Sequence, residues 1–123
     1  MRLIPRIRAT GIGLLMCAMP AVAADSSYED HLVRLAEILG SIHFLHGLCH
    51  ESEGPWRAQM EVLLRAESPS EERRAEMIGS FNHGYRAFAA TYTRCTESAE
   101  QAIEYYKKEG ETLTNDIVMQ FGE

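Results

Sequence analysis

An all-α fold, an antiparallel bundle of three or four helices, follows from the pattern of apolar residues. They recur every three or four positions along most of the chain, and only a few stretches rich in Gly, Pro and Ser interrupt them. No run of alternating apolar and polar residues marks a strand, and no internal repeat or low-complexity segment is present. With 123 residues, 46% apolar and 24% charged, the chain holds one ordinary domain and too many core formers for disorder.

The N-terminus reads as a secretory signal peptide over residues 1–24. Arg2, Arg6 and Arg8 precede an apolar stretch from Ala9 to Met19, and Pro20 leads into Ala21-Val22-Ala23-Ala24 before the first acidic residue, Asp25. Small side chains suit cleavage at either Ala23/Ala24 or Ala24/Asp25. An uncleaved anchor is the weaker reading, because the apolar stretch would span only about 16 Å as a helix, roughly half a hydrocarbon core. A lipoprotein signal at Cys17 is weaker still, since Met16 stands where a small residue is usual. Residues 25–123 then form a single exported helical domain, expected in the periplasm with no stable membrane insertion. The leader holds three of the twelve basic residues and no acidic one, so nine basic and eighteen acidic side chains leave the rest of the chain at a formal −9. Nucleic acid and anionic membrane surfaces are poor partners for such a chain.

The helices can be read in order. Leu32, Leu35, Ala36, Leu39, Ile42, Leu45 and Leu48 predict a first helix from Tyr28 to about Cys49. Glu51-Ser52-Glu53-Gly54-Pro55 breaks it, and Pro55 suits the first turn of a second helix that runs to about Glu67 with Trp56, Met60, Leu63 and Leu64 on one stripe. Ser68-Pro69-Ser70-Glu71 reads as a capping box, with Ser68 as the cap of a third helix. Its seam of Met77, Phe81, Tyr85, Phe88, Tyr92 and Cys95 steps by four and three and carries Cys95 on the buried side. Thr96 caps a fourth helix through Phe121, or else the third and fourth are continuous. Gly110 falls on the seam of that last helix, as a point of close approach or as a break. Seams of this spacing suit contacts within one chain and across a two-fold axis alike.

Export would place Cys49 and Cys95 where thiols oxidise, and a disulfide between them is the leading expectation. The rival is a metal site, because His43, His46 and His50 lie at i, i+3 and i+7 on one helix beside Cys49. No other cofactor is expected.

Cys49-x6-Trp56-Arg57, Phe81-Asn82-x-Gly84-Tyr85 and Tyr92-Thr93-Arg94-Cys95-Thr96 carry a resemblance. In these motifs the chain resembles a family of small exported alphaproteobacterial proteins of unknown function, over nearly all of the segment after the leader. The resemblance implies an exported helical protein with paired cysteines and supplies no activity. The three histidines are not part of its pattern.

Candidate functional residues are few. Trp56 and Arg57 after a turn form an indole–guanidinium pair of the kind that anchors partners, although Trp56 shares a stripe with Met60 and Leu63. Asn82, Tyr85 and Arg86 surround Gly84, whose place inside a helix calls for a close-packed helix or a ligand backbone. Arg57, Glu61 and Arg86 could form an ion network. There is no nucleophile elbow, zinc-protease pair or phosphate-binding glycine loop. The expectation is a non-catalytic interaction or adaptor protein of the cell envelope, presenting Trp56, Arg57, Asn82, Tyr85 and Arg86 to a protein or peptide. A metal-binding protein using His43, His46 and His50, and an envelope hydrolase, are the alternatives.

Overall fold

A computed structural model describes residues 11, 13, 14 and 20–121. Most of the predicted signal peptide lies outside them. Four helices make up the described fold: α1 (Pro20–His50), α2 (Trp56–Glu67), α3 (Glu71–Ala89) and α4 (Glu97–Phe121). There is no strand among the described residues.

α1 begins at Pro20, ahead of the predicted Tyr28. The alanine-rich run assigned to the cleavage region is itself strongly helix-forming. α1 is the spine of the molecule, and α2, α3 and α4 each pack on it. Its predicted stripe is buried at Leu32, Ala36, Leu39, Ile42 and Leu45, but Ile38, Gly40 and Ser41 are buried too, so the middle of α1 is enclosed on nearly every side. Such a helix needs apolar residues all round. By length and composition alone Ser27–His50 would be apolar enough to cross a membrane; here that surface forms the floor for three other helices. Ser41, the one polar residue among the buried core positions, donates its hydroxyl to the Glu37 carbonyl at 2.9 Å.

Consecutive helices run in opposite directions. His46 meets Trp56 at the start of α2, and the Tyr28 hydroxyl donates to the Glu67 carboxylate at its end, so α2 is antiparallel to α1. Arg73 pairs with Glu29 near the start of α3 and Tyr85 packs on Phe44 further along, so α3 is parallel to α1. Ala99 and Ile103 pack with Leu45, and Glu109 pairs with Arg34 at 2.8 Å, so α4 descends.

Two predicted boundaries are corrected. Ser68 does not cap the third helix; it ends α2 in the left-handed region (φ 42°) with its N–H bonded to the Leu64 carbonyl, and Pro69 follows this stop. The cap of α3 is Ser70, whose hydroxyl accepts from the Arg73 amide at 3.2 Å. The third helix also ends at Ala89 rather than running to Cys95. Thr91, Tyr92 and Thr93 are poor helix formers, and Thr96 is already committed as the α4 cap, accepting from the Ala99 amide at 3.1 Å. Helices three and four are therefore separate, and Cys95 sits exposed in the link between them rather than on a buried seam. At the start of α2, Pro55 is the N-cap, and its carbonyl accepts from Gln59 at 2.9 Å.

Candidate functional site

The closest approach in the bundle is between α1 and α3, and two glycines make it possible. A Cβ on Gly84 would collide with the Glu37 carbonyl and come within 2.6 Å of Ser41 Oγ, and a Cβ on Gly40 would collide with the Phe81 carbonyl. Close helix packing thus accounts for Gly84, which is buried, without a ligand. Gly110 behaves differently: α4 runs through it unbroken, and a Cβ there would meet Ile38 Cγ2 at 3.6 Å, an ordinary contact.

α2 packs mainly on α1, meeting α3 where Met60 and Leu64 join Met77 in one buried cluster and α4 where Lys107 lies over Trp56. One groove opens on each side of it. Its buried stripe is narrow, with Met60 and Leu64 buried and Trp56 and Leu63 half-buried. That is enough to dock on one helix and too little to close against two more.

The groove between α2 and α3, about 380 Å³, gathers Arg57, Asn82 and Tyr85 with His43, Glu53 and Glu61. Met60, Leu64 and Phe81 give it an apolar lining. Tyr85 is 38% exposed, with its ring 5.6 Å from His43 and edge-on to Phe44 at 5.3 Å. Arg86 lies next to this groove in sequence, exposed, with its Nε donating to the Asn82 carbonyl at 3.3 Å. Trp56 is not part of this surface: it lines the second groove, between α2 and α4. The expected network of Arg57, Glu61 and Arg86 does not form; among the described residues the ion pairs are elsewhere, at Arg34, Arg73 and Lys107.

The histidines diverge. His43 lies against the α3 rings of Phe81 and Tyr85, whereas His46 pairs with His50 at 4.6 Å and meets Trp56 edge-on at 6.2 Å. Among the described residues no group of three or more His, Cys, Asp or Glu side chains is placed to hold a metal ion. His46 is covered by the turn before α2: Gly54 has φ +64°, and a Cβ there would reach within 2.8 Å of the imidazole. Burial first, then the neighbouring His50, Lys107 and His43, hold the His46 pKa below its ordinary value. Nδ1 of His43, Nδ1 of His46 and Nε1 of Trp56 are buried without a hydrogen-bond partner. Cys49 and Cys95 are joined as a disulfide, with S–S 2.05 Å and Cα atoms 4.9 Å apart. Neither thiol is free as a nucleophile or ligand.

Sequence reasoning missed the groove between α2 and α4 altogether. The available signal was a twelve-residue helix with a single narrow stripe, set between two longer helices.

A family model described as a protein of unknown function (DUF2385) matches residues 27–121. Comparison with curated proteins and with solved structures finds no match.

Proposed function

The chain belongs to the DUF2385 family of proteins of unknown function, and from its site alone we propose that it is an exported, non-catalytic adaptor of the cell envelope that docks a protein or peptide segment in the groove between α2 and α3. The observation that carries this reading is the convergence of Arg57, Asn82 and Tyr85 on one apolar-lined groove, with Arg86 beside it. A partly exposed aromatic beside a guanidinium and an amide, around an apolar centre, has the composition of a docking surface. Export is supported by the three arginines and apolar stretch ahead of Pro20 and by the Cys49–Cys95 disulfide, and the periplasm is the compartment that suits both.

Site-specific photocross-linking in living cells tests the role. A cross-linker replacing Asn82 is expected to capture a discrete partner that one replacing Thr112, exposed on α4, does not. Capture should fall at least about tenfold when Arg57→Ala and Tyr85→Ala are combined, as for loss of two interface hot spots. Equal capture from both positions, or capture unaffected by the double substitution, removes the groove as the docking site.

A further inference from the structure

The groove between α2 and α4 shares no lining residue with the docking groove. We infer that it is a binding site for a single-chain amphiphile with an anionic head group, its hydrocarbon chain lying along α1 and its head at the end formed by Trp56 and Lys107.

Size and lining come first. The groove holds about 520 Å³, within the range of small-molecule sites. Its floor is Leu35, Ile38, Leu39 and Ile42 of α1, and α2 contributes Val62 and Leu63. Val62 is 54% exposed, a large apolar side chain left on the groove wall.

Gly110 supplies the second argument. It lies inside a 25-residue helix, where only proline is less favourable than glycine. Neither of the usual reasons applies: its backbone is not left-handed, and α1 leaves ordinary room for a Cβ beside Ile38 and Leu35. What its missing side chain provides is depth in the groove it lines.

Charge fixes the direction. The Lys107 ammonium lies 5.9 Å over the Trp56 ring, and the indole N–H is buried without an acceptor. His46 meets Trp56 edge-on with His50 beside it, and Glu104 is engaged with Lys107 at 3.6 Å. An anionic head there gains the Lys107 ammonium, which among the described residues is ion-paired only with the exposed Glu104 carboxylate. On α4, Lys107 is followed by Glu111, Thr114 and Asn115, which offer an anion no cation.

Trp56 is the sole tryptophan, so its fluorescence reports on the groove directly. Titrating oxidised protein with monomeric 2-bromopalmitate, whose bromine sits beside its carboxylate, is expected to give saturable quenching, with the matching brominated alcohol binding more weakly. Gly110→Leu fills the groove and should weaken binding at least about tenfold, the scale of one lost apolar contact surface. Because a leucine at 110 could also disturb α1, Val62→Asp, on the exposed wall, provides a second variant with the same expected loss. Lys107→Gln should weaken the acid at least about threefold and erase its advantage over the alcohol. No saturable quenching, or quenching unchanged in both groove variants, overturns the site; acid and alcohol binding equally to the unsubstituted protein overturns the anionic head.

Discussion

Gly84 and Gly79 lie five residues apart on α3, and their substitutions should act with opposite signs. Gly84→Ala forces a Cβ into the α1 backbone at Glu37 and should destabilise by about 1–3 kcal/mol, the usual cost of overpacking. Gly79→Ala meets nothing within 4 Å and should stabilise by about 0.5–1 kcal/mol through helix propensity. Urea melts of the two variants check the pair. The same residue explains a gap in what the sequence revealed. The buried face of α3 runs through Met77, Phe81, Gly84 and Phe88, but a glycine is blank to a hydrophobic pattern, so the pattern selected the neighbouring Tyr85, which is 38% exposed. His46 gives a pH dependence. Its pKa is lowered in the native state, so the unfolded chain binds more protons between that lowered value and the ordinary one of about 6.5. The stability tied to a neutral His46 is therefore complete above about pH 6.5 and lost as the pH falls through the native value. Thermal melts from pH 7.5 to 5 should decline, and His46→Gln should flatten that decline.

Element boundaries were legible wherever one residue had one task. Thr96 is the expected α4 cap, three residues ahead of the Ala99 amide that donates to it. Ser68-Pro69-Ser70 misled because it holds both a stop and a start within three residues. Ser70→Ala should therefore cost about 1 kcal/mol, whereas Ser68→Gly should be neutral or slightly stabilising, since its φ of 42° suits glycine. Denaturant midpoints distinguish the two; a larger loss at Ser68 than at Ser70 would restore the other assignment. The disulfide acts on the same scale. It ties the end of α1 to the link before α4 across a sequence separation of 46, and the chain-entropy argument gives about 4 kcal/mol. Export and the presence of just two cysteines after the leader point to that pairing, but the helix expected to carry Cys95 on a buried seam ends at Ala89, six residues before it. Replacing both cysteines by serine should lower stability by about that amount, as read from urea melts beside the oxidised protein.

Three helices resting on a fourth make a molecule whose cooperativity runs through α1. The all-helical class was legible because period and breaks agree, but the spine arrangement was not, since a stripe records how much of a helix is buried and not which neighbours bury it. α2 is the exception to the cooperativity. At 12 residues it is at or below the length at which an isolated helix holds in water, so its order depends on Met60 and Leu64 docking on α1. Its packing on α3 and α4 is limited to the Met77 contact and the Lys107–Trp56 pair, with a groove on each side. The loop closed by the Cys49–Cys95 disulfide contains it whole, so α2 can detach while both its ends stay tethered. Hydrogen exchange should then find α2 amides opening before those in the middle of α1, at a free energy below that of global unfolding. Met60→Ala, which removes about 2–5 kcal/mol of core packing, should release α2 while Ile38 and Ile42 stay protected. Ile42→Ala, in the spine itself, should instead lower protection in every helix together. If the α2 amides exchange as slowly as those around Ile42, the helix is not a separate unit, and both grooves are fixed features of one rigid body.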